Sequence, residues 1–150
     1  MRVERCIEEI DLWMCKNLLK QDKTELVVIS SKFRNGPNLE CVPVGDEFIA
    51  PELSVHNLGV VMDNCFCMEQ HIKKTCSDAN YHLRNISKIR KYLTRDSAQT
   101  LIHTFISSKL DYCNSLLYGI QKYLVCRLQR VQNTAVRIVT LTRKYDSITQ

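Results

Sequence analysis

The apolar residues of this chain change period near residue 63, and that change decides the fold class. Before it, short β-branched runs alternate with turn chemistry. Residues 24–30 (TELVVIS) and 39–44 (LECVPV) are predicted strands separated by NGPN at 35–38. A turn at Gly45 and Asp46, a short strand at Phe48 and Ile49, and a strand over residues 55–63 (VHNLGVVMD) follow, with Pro51 expected to interrupt pairing. After residue 66 the pattern is helical. Cys65, Ile72, Cys76, Ala79, Leu83, Ile86 and Leu93, with Ile89 or Arg90, keep one face apolar. A second helix starts near Thr94 or Asp96 and carries Ala98, Leu101, Ile102, Phe105 and Ile106. A third carries Leu124, Leu128, Val131, Ala135 and Ile138. Ahead of the strands, Val3, Cys6, Ile7, Ile10, Trp13, Met14, Asn17 and Leu18 predict an amphipathic helix over about residues 3–20. The expected fold is therefore α+β, with an N-terminal helix and small antiparallel sheet over 1–63 and an all-helical region over 64–150.

Charge divides at nearly the same place. Residues 1–70 hold 7 Lys and Arg against 12 Asp and Glu, whereas residues 71–150 hold 14 against 4. A basic helical half that also carries Tyr81, Tyr92, Tyr112, Tyr118, Tyr123 and Tyr145 has the composition of a surface for phosphate backbones, and equally of a solvated helix face. The cations in question are Lys73, Lys74, Arg84, Lys88, Arg90, Lys91, Arg127, Arg130 and Arg137.

Composition excludes other classes. The 150 residues, 45% hydrophobic and 25% charged, suit one ordinary globular domain. Apolar runs such as LVVI at 26–29 are far below the roughly 20 residues of a membrane helix. The first residues do not form a signal peptide, so the eight cysteines are expected to be reduced packing residues of a cytoplasmic or nuclear, not secreted, protein. Four glycines leave little room for a phosphate-cradling loop, and no nucleophile elbow or His-Glu-x-x-His run occurs. His56, His71, His82 and His103 have no partner that sequence can name.

The segment NCFCMEQHIKKTC, residues 64–76, holds Cys65, Cys67, His71 and Cys76 and invites comparison with a zinc knuckle. A knuckle needs two residues between its first cysteines, commonly with glycine for the turn; CFC has one and the cluster has no Gly. On a helix His71 and Cys76 stand about 140° apart, so four ligands do not converge. No metal site is expected.

Three stretches are more specific. WMCKNLLKQDKTELVVIS (13–30), VHNLGVVMDNCFCMEQHI (55–72), and LRNISKIRKYLTRDSAQTLIHTFISSKLDYCNSLLYGI (83–120) continuing into RLQRVQNTAVRIVTLTRKYDSIT (127–149) resemble the reverse transcriptase of non-LTR, LINE-type retrotransposons, downstream of its catalytic motif. The resemblance implies that residues 1–63 are the end of a palm and residues 64–150 a basic thumb-like region. It makes Asn57, Leu58, Gly59, Val60 and Asp63 counterparts of the hairpin called the primer grip, and Lys23, in KTE, a counterpart of a lysine near the incoming nucleotide. It implies an RNA or DNA template–primer as a non-specific partner, and Mg²⁺ as the cofactor of the intact enzyme. The sequence has no Asp-Asp pair to hold that metal. The expectation is thus a non-catalytic, cofactor-free fragment of a truncated or degraded element, whose role is at most nucleic-acid binding and whose bared surfaces favour self-association. The alternative is a helical protein-interaction module, its apolar stripes pairing with a partner.

Overall fold

A computed structural model describes residues 2–18, 24–31, 39–44 and 47–143. Lys23, the NGPN turn and the Gly45–Asp46 turn lie outside the described residues. The chain forms two compact units, Met1–Phe66 and Cys67–Gln150, so the division falls a few residues beyond the change of period. The class is α+β, with the β elements confined to the first unit.

The first unit opens with α1 (Arg2–Lys16). It stops earlier than its apolar spacing predicts, because Leu18 adopts φ 56° and the Asn17 side-chain amide donates to the Trp13 carbonyl at 2.7 Å. A left-handed residue just past the last turn ends a helix, and a side chain that satisfies its carbonyls removes the pull toward another turn. Ile7, Ile10 and Met14 of α1 line an apolar cavity of about 210 Å³ with Leu26, Val42, Val44 and Ile49. These strand residues come from β1 (Leu26–Val27), β2 (Val42–Val44) and β3 (Glu47–Ile49). β2 and β3 pair antiparallel, Val42 opposite Ile49.

Two expectations are corrected in this unit. Pro51 does not interrupt pairing: it opens β4 (Pro51–Glu52), which runs parallel to β1 with Pro51 opposite Leu26. A proline that begins a strand has no upstream ladder bond to lose. Residues 55–63 are not one strand but the hairpin of β5 (Ser54–Asn57) and β6 (Val60–Asp63), with Asn57 opposite Val60. Leu58 and Gly59 form its two-residue turn with φ 47° and 82°. Positive φ at both central residues matches the twist of a tight hairpin, and glycine serves it at the second position. Val55, Val60, Val61 and Asp63 are buried. Glu25 accepts the His56 backbone N–H at 2.7 Å and Ser30 donates to the Asn64 carbonyl, which tie the hairpin to the preceding chain.

The second unit is built on two long helices, α2 (Glu69–Ile89) and α5 (Lys122–Thr140). Between them runs one helical stretch, α3 (Arg95–Ile102), a π-helical turn (His103–Ser107) and α4 (Ser108–Asp111). Thr94 caps α3, its hydroxyl accepting the Ser97 N–H at 3.2 Å. The π turn has a readable cause. Ala98, Ile102, Ile106 and Leu110 are the buried residues of this stretch, and each step is four. An α-helix rotates about 40° too far for a four-residue repeat, so the stripe stays on one line only if a turn widens. The apolar stripes are spent on one another: Ile72, Ala79, Leu83 and Ile86 of α2 share the core with Ala98, Ile102 and Ile106, and with Leu124, Val131 and Ala135 of α5.

Candidate nucleic-acid interface

α2 and α5 lie side by side and run the same way. Glu69, at the start of α2, bonds the phenol of Tyr123 at the start of α5. At the other end Arg90, just past α2, reaches the last carbonyls of α5. This alignment creates an open groove of about 420 Å³. Lys73, Ser77 and Asn80 form one wall and Arg127, Arg130 and Thr134 the other, with Cys76 and Val131 buried beneath.

Spacing explains both walls. Positions 73, 77 and 80 are one helical face, as are 127, 130 and 134. Three cations therefore converge on one trough, and among the described residues none of them is engaged in an ion pair. The described pairs are Arg5–Glu9 at 3.3 Å and Lys109–Asp78 at 3.9 Å. Desolvation pushes the Tyr123 phenol up, helped by its hydrogen bond to Glu69. Burial pushes the Cys76 thiol up, with Arg127 pulling weakly the other way. Cys76 is thus a neutral floor rather than a reactive group.

Of the nine cations singled out in the sequence, Lys73, Arg127 and Arg130 meet in the groove. Arg84, Lys88 and Lys74 are exposed and fall within an arc of roughly 100° from Lys73 on α2, continuing the charge as a ridge along the outward face. Lys91 follows in a short 3₁₀ turn (Arg90–Tyr92), its ammonium 4.8 Å from the Tyr92 ring. Arg137 is half-buried beyond the groove, its Nε buried without a partner.

Arg90 is a correction. Only 8% exposed, it donates from Nε to the Ile138 carbonyl at 2.8 Å, from Nη2 to Val139 at 2.9 Å and from Nη1 to Leu93 at 2.8 Å. A helix leaves its last carbonyls unpaired and carries partial negative charge there, so a guanidinium fork is the complement of that end. Arg90 locks α5 and is not presented to a ligand.

The residues matched to a primer grip divide by position. Asn57 and Leu58 are exposed at the hairpin tip, Gly59 supplies the turn, and Val60 and Asp63 are buried along β6. In the Cys and His segment, Cys65 and Cys67 lie in irregular chain, where Phe66 and Met68 take φ 52° and 59°. His71 and Cys76 are buried in α2. Among the described residues no three His, Cys, Asp or Glu side chains are placed to hold a metal ion. The cysteines are not uniformly packing residues as expected: Cys6, Cys15, Cys41 and Cys126 are exposed thiols.

Ser77, Asn80 and Thr134 are the groove residues that charge counting missed. Their signal was in the sequence: each sits four or seven residues from a groove cation. Among the described residues no helix is long and apolar enough to cross a membrane. No protein-family model, curated protein or solved structure matches the chain.

Proposed function

We propose that this chain is the post-catalytic palm and thumb segment of a LINE-type reverse transcriptase, and that its helical unit holds the phosphate backbone of a template–primer in the groove between α2 and α5. The convergence of Lys73, Arg127 and Arg130 on one trough carries this proposal. Uncompensated like charges repel one another, and an anion that enters converts that cost into attraction. From Lys73 to Asn80 the wall is about 10 Å long, the axial span of roughly three phosphates on one strand. Hydroxyl and amide groups at Ser77, Asn80 and Thr134 suit phosphate oxygens without reading bases. Asn57 and Leu58, at the exposed hairpin tip, are the proposed contacts for a primer terminus.

The resemblance implies Mg²⁺ for the whole enzyme, and the donors present do not fit it. There is no Asp-Asp pair, and among the described residues no three His, Cys, Asp or Glu side chains gather. The proposed role is to hold nucleic acid, with no bond made or broken.

The test is fluorescence anisotropy with a labelled RNA–DNA hybrid at low salt. The chain should bind, and Lys73→Glu with Arg127→Glu should weaken binding at least tenfold while leaving the melt unchanged. No binding at low salt refutes the proposal. A second role, protein association, is favoured by one observation: Ile10, Leu12 and Trp13 of α1 are more than half exposed.

A further inference from the structure

Three rings stand in a row on the surface of the helical unit. Tyr81 meets His82 edge-on, with centroids 5.5 Å apart and planes at 76°. His82 stacks on Phe105 at 5.1 Å and 20°. The core does not consume them, since Leu83 and Ile106 are the residues buried at that level. Tyr81 is 63% exposed and Phe105 39%.

Their surroundings are cationic. Lys74, Tyr81 and Lys88 are spaced by seven residues on α2, so they share one line with a lysine about 10 Å to either side of the phenol. Arg84 is exposed on the same ridge. The carboxylate nearest in sequence, Asp78, pairs with Lys109 at 3.9 Å. A strand whose phosphates follow Lys74 and Lys88 passes over Tyr81. The π turn contributes too, because it carries Phe105, which backs the imidazole that abuts the phenol. The platform is thereby held before any ligand arrives.

We propose that Tyr81, backed by His82 and Phe105, stacks an unpaired nucleobase, so that the helical unit prefers a single-stranded stretch of RNA or DNA to a blunt duplex. The proposal rests on the phosphate-binding role of the same helices and adds the class of nucleic acid. Exposed aromatic rings on a basic track engage single strands, whose bases offer their faces; a duplex keeps those faces inside its stack. A protein partner is disfavoured by the line of cations through the ring.

The test uses the full chain, a single strand carrying one 2-aminopurine, and a blunt RNA–DNA hybrid of the same length. Binding of the single strand should quench 2-aminopurine fluorescence. Tyr81→Ala should abolish the quench and weaken single-strand binding by about five- to a hundredfold, while hybrid affinity stays within about twofold. Tyr81→Phe should retain both. An unchanged single-strand affinity in Tyr81→Ala, an equal loss on the hybrid, or no quench by the unaltered chain would overturn stacking and leave the groove standing. Failure to bind either nucleic acid would overturn both roles.

Discussion

Arg90→Met separates the architecture of the basic helices from their charge. Methionine keeps much of the apolar stem and removes all three donors, those to Ile138, Val139 and Leu93. Hydrogen bonds from a charged donor are worth about 1.5–3 kcal/mol each. At a helix end water replaces part of that, and removing a buried charge recovers some desolvation, so the net loss should be about 2–4 kcal/mol. For a unit of this size that is a fall in Tm of about 10–25 °C. Heat and urea melts followed by circular dichroism at 222 nm measure it. Arg90→Lys should recover less than half, because an ammonium cannot reproduce the fork. A loss under about 0.5 kcal/mol would refute the view that this guanidinium fastens the end of α5, given the size of even one charge-assisted bond.

Other consequences follow from local geometry. Leu58 pays for a left-handed conformation at an exposed tip, φ 47°, so Leu58→Asn should stabilise the first unit by about 1 kcal/mol in urea melts. Burial, then Lys74, holds the His71 imidazole below its ordinary value of 6.5. The unfolded chain therefore binds the extra proton first: this contribution is full above about pH 6.5 and is lost as pH falls through the depressed folded value. Urea midpoints should drop between pH 7.5 and 5, and His71→Gln should flatten that slope. Thiol titration at pH 8 should label Cys126 and Cys15 rapidly and Cys76 only on unfolding, since burial raises its pKa.

Where the sequence was legible, a single periodicity governed the outcome. α2 buries Ile72, Cys76, Ala79, Leu83 and Ile86 as their three- and four-residue spacing predicts, α5 buries Leu124, Val131 and Ala135 but leaves Leu128 and Ile138 half-buried, and Thr94 caps where its hydroxyl precedes an apolar run. Pairing across distance was less visible. Nothing local reveals that Pro51 faces Leu26 in a parallel pair, or that Leu58, with a side chain that disfavours positive φ, occupies a turn. The four-residue spacing from Ala98 to Leu110 did encode the π turn, but it resembles an ordinary helical stripe unless the drift is summed. Among the cations, type and helix were legible and destination was not: Arg90 and Arg127 look alike in sequence, and one ends beneath a helix terminus and the other on a groove wall.

The most direct test of phosphate holding is the slope of log K against log salt for an RNA–DNA hybrid. Three groove cations predict a contribution of about −2.7, and the ridge along α2 adds to it; between 50 and 200 mM salt the groove alone accounts for about a fortyfold fall in affinity. Lys73→Gln, Arg127→Gln and Arg130→Gln together should shallow the slope by roughly two to three. A slope near zero in the unaltered chain, or one that the triple substitution leaves unchanged, would contradict it.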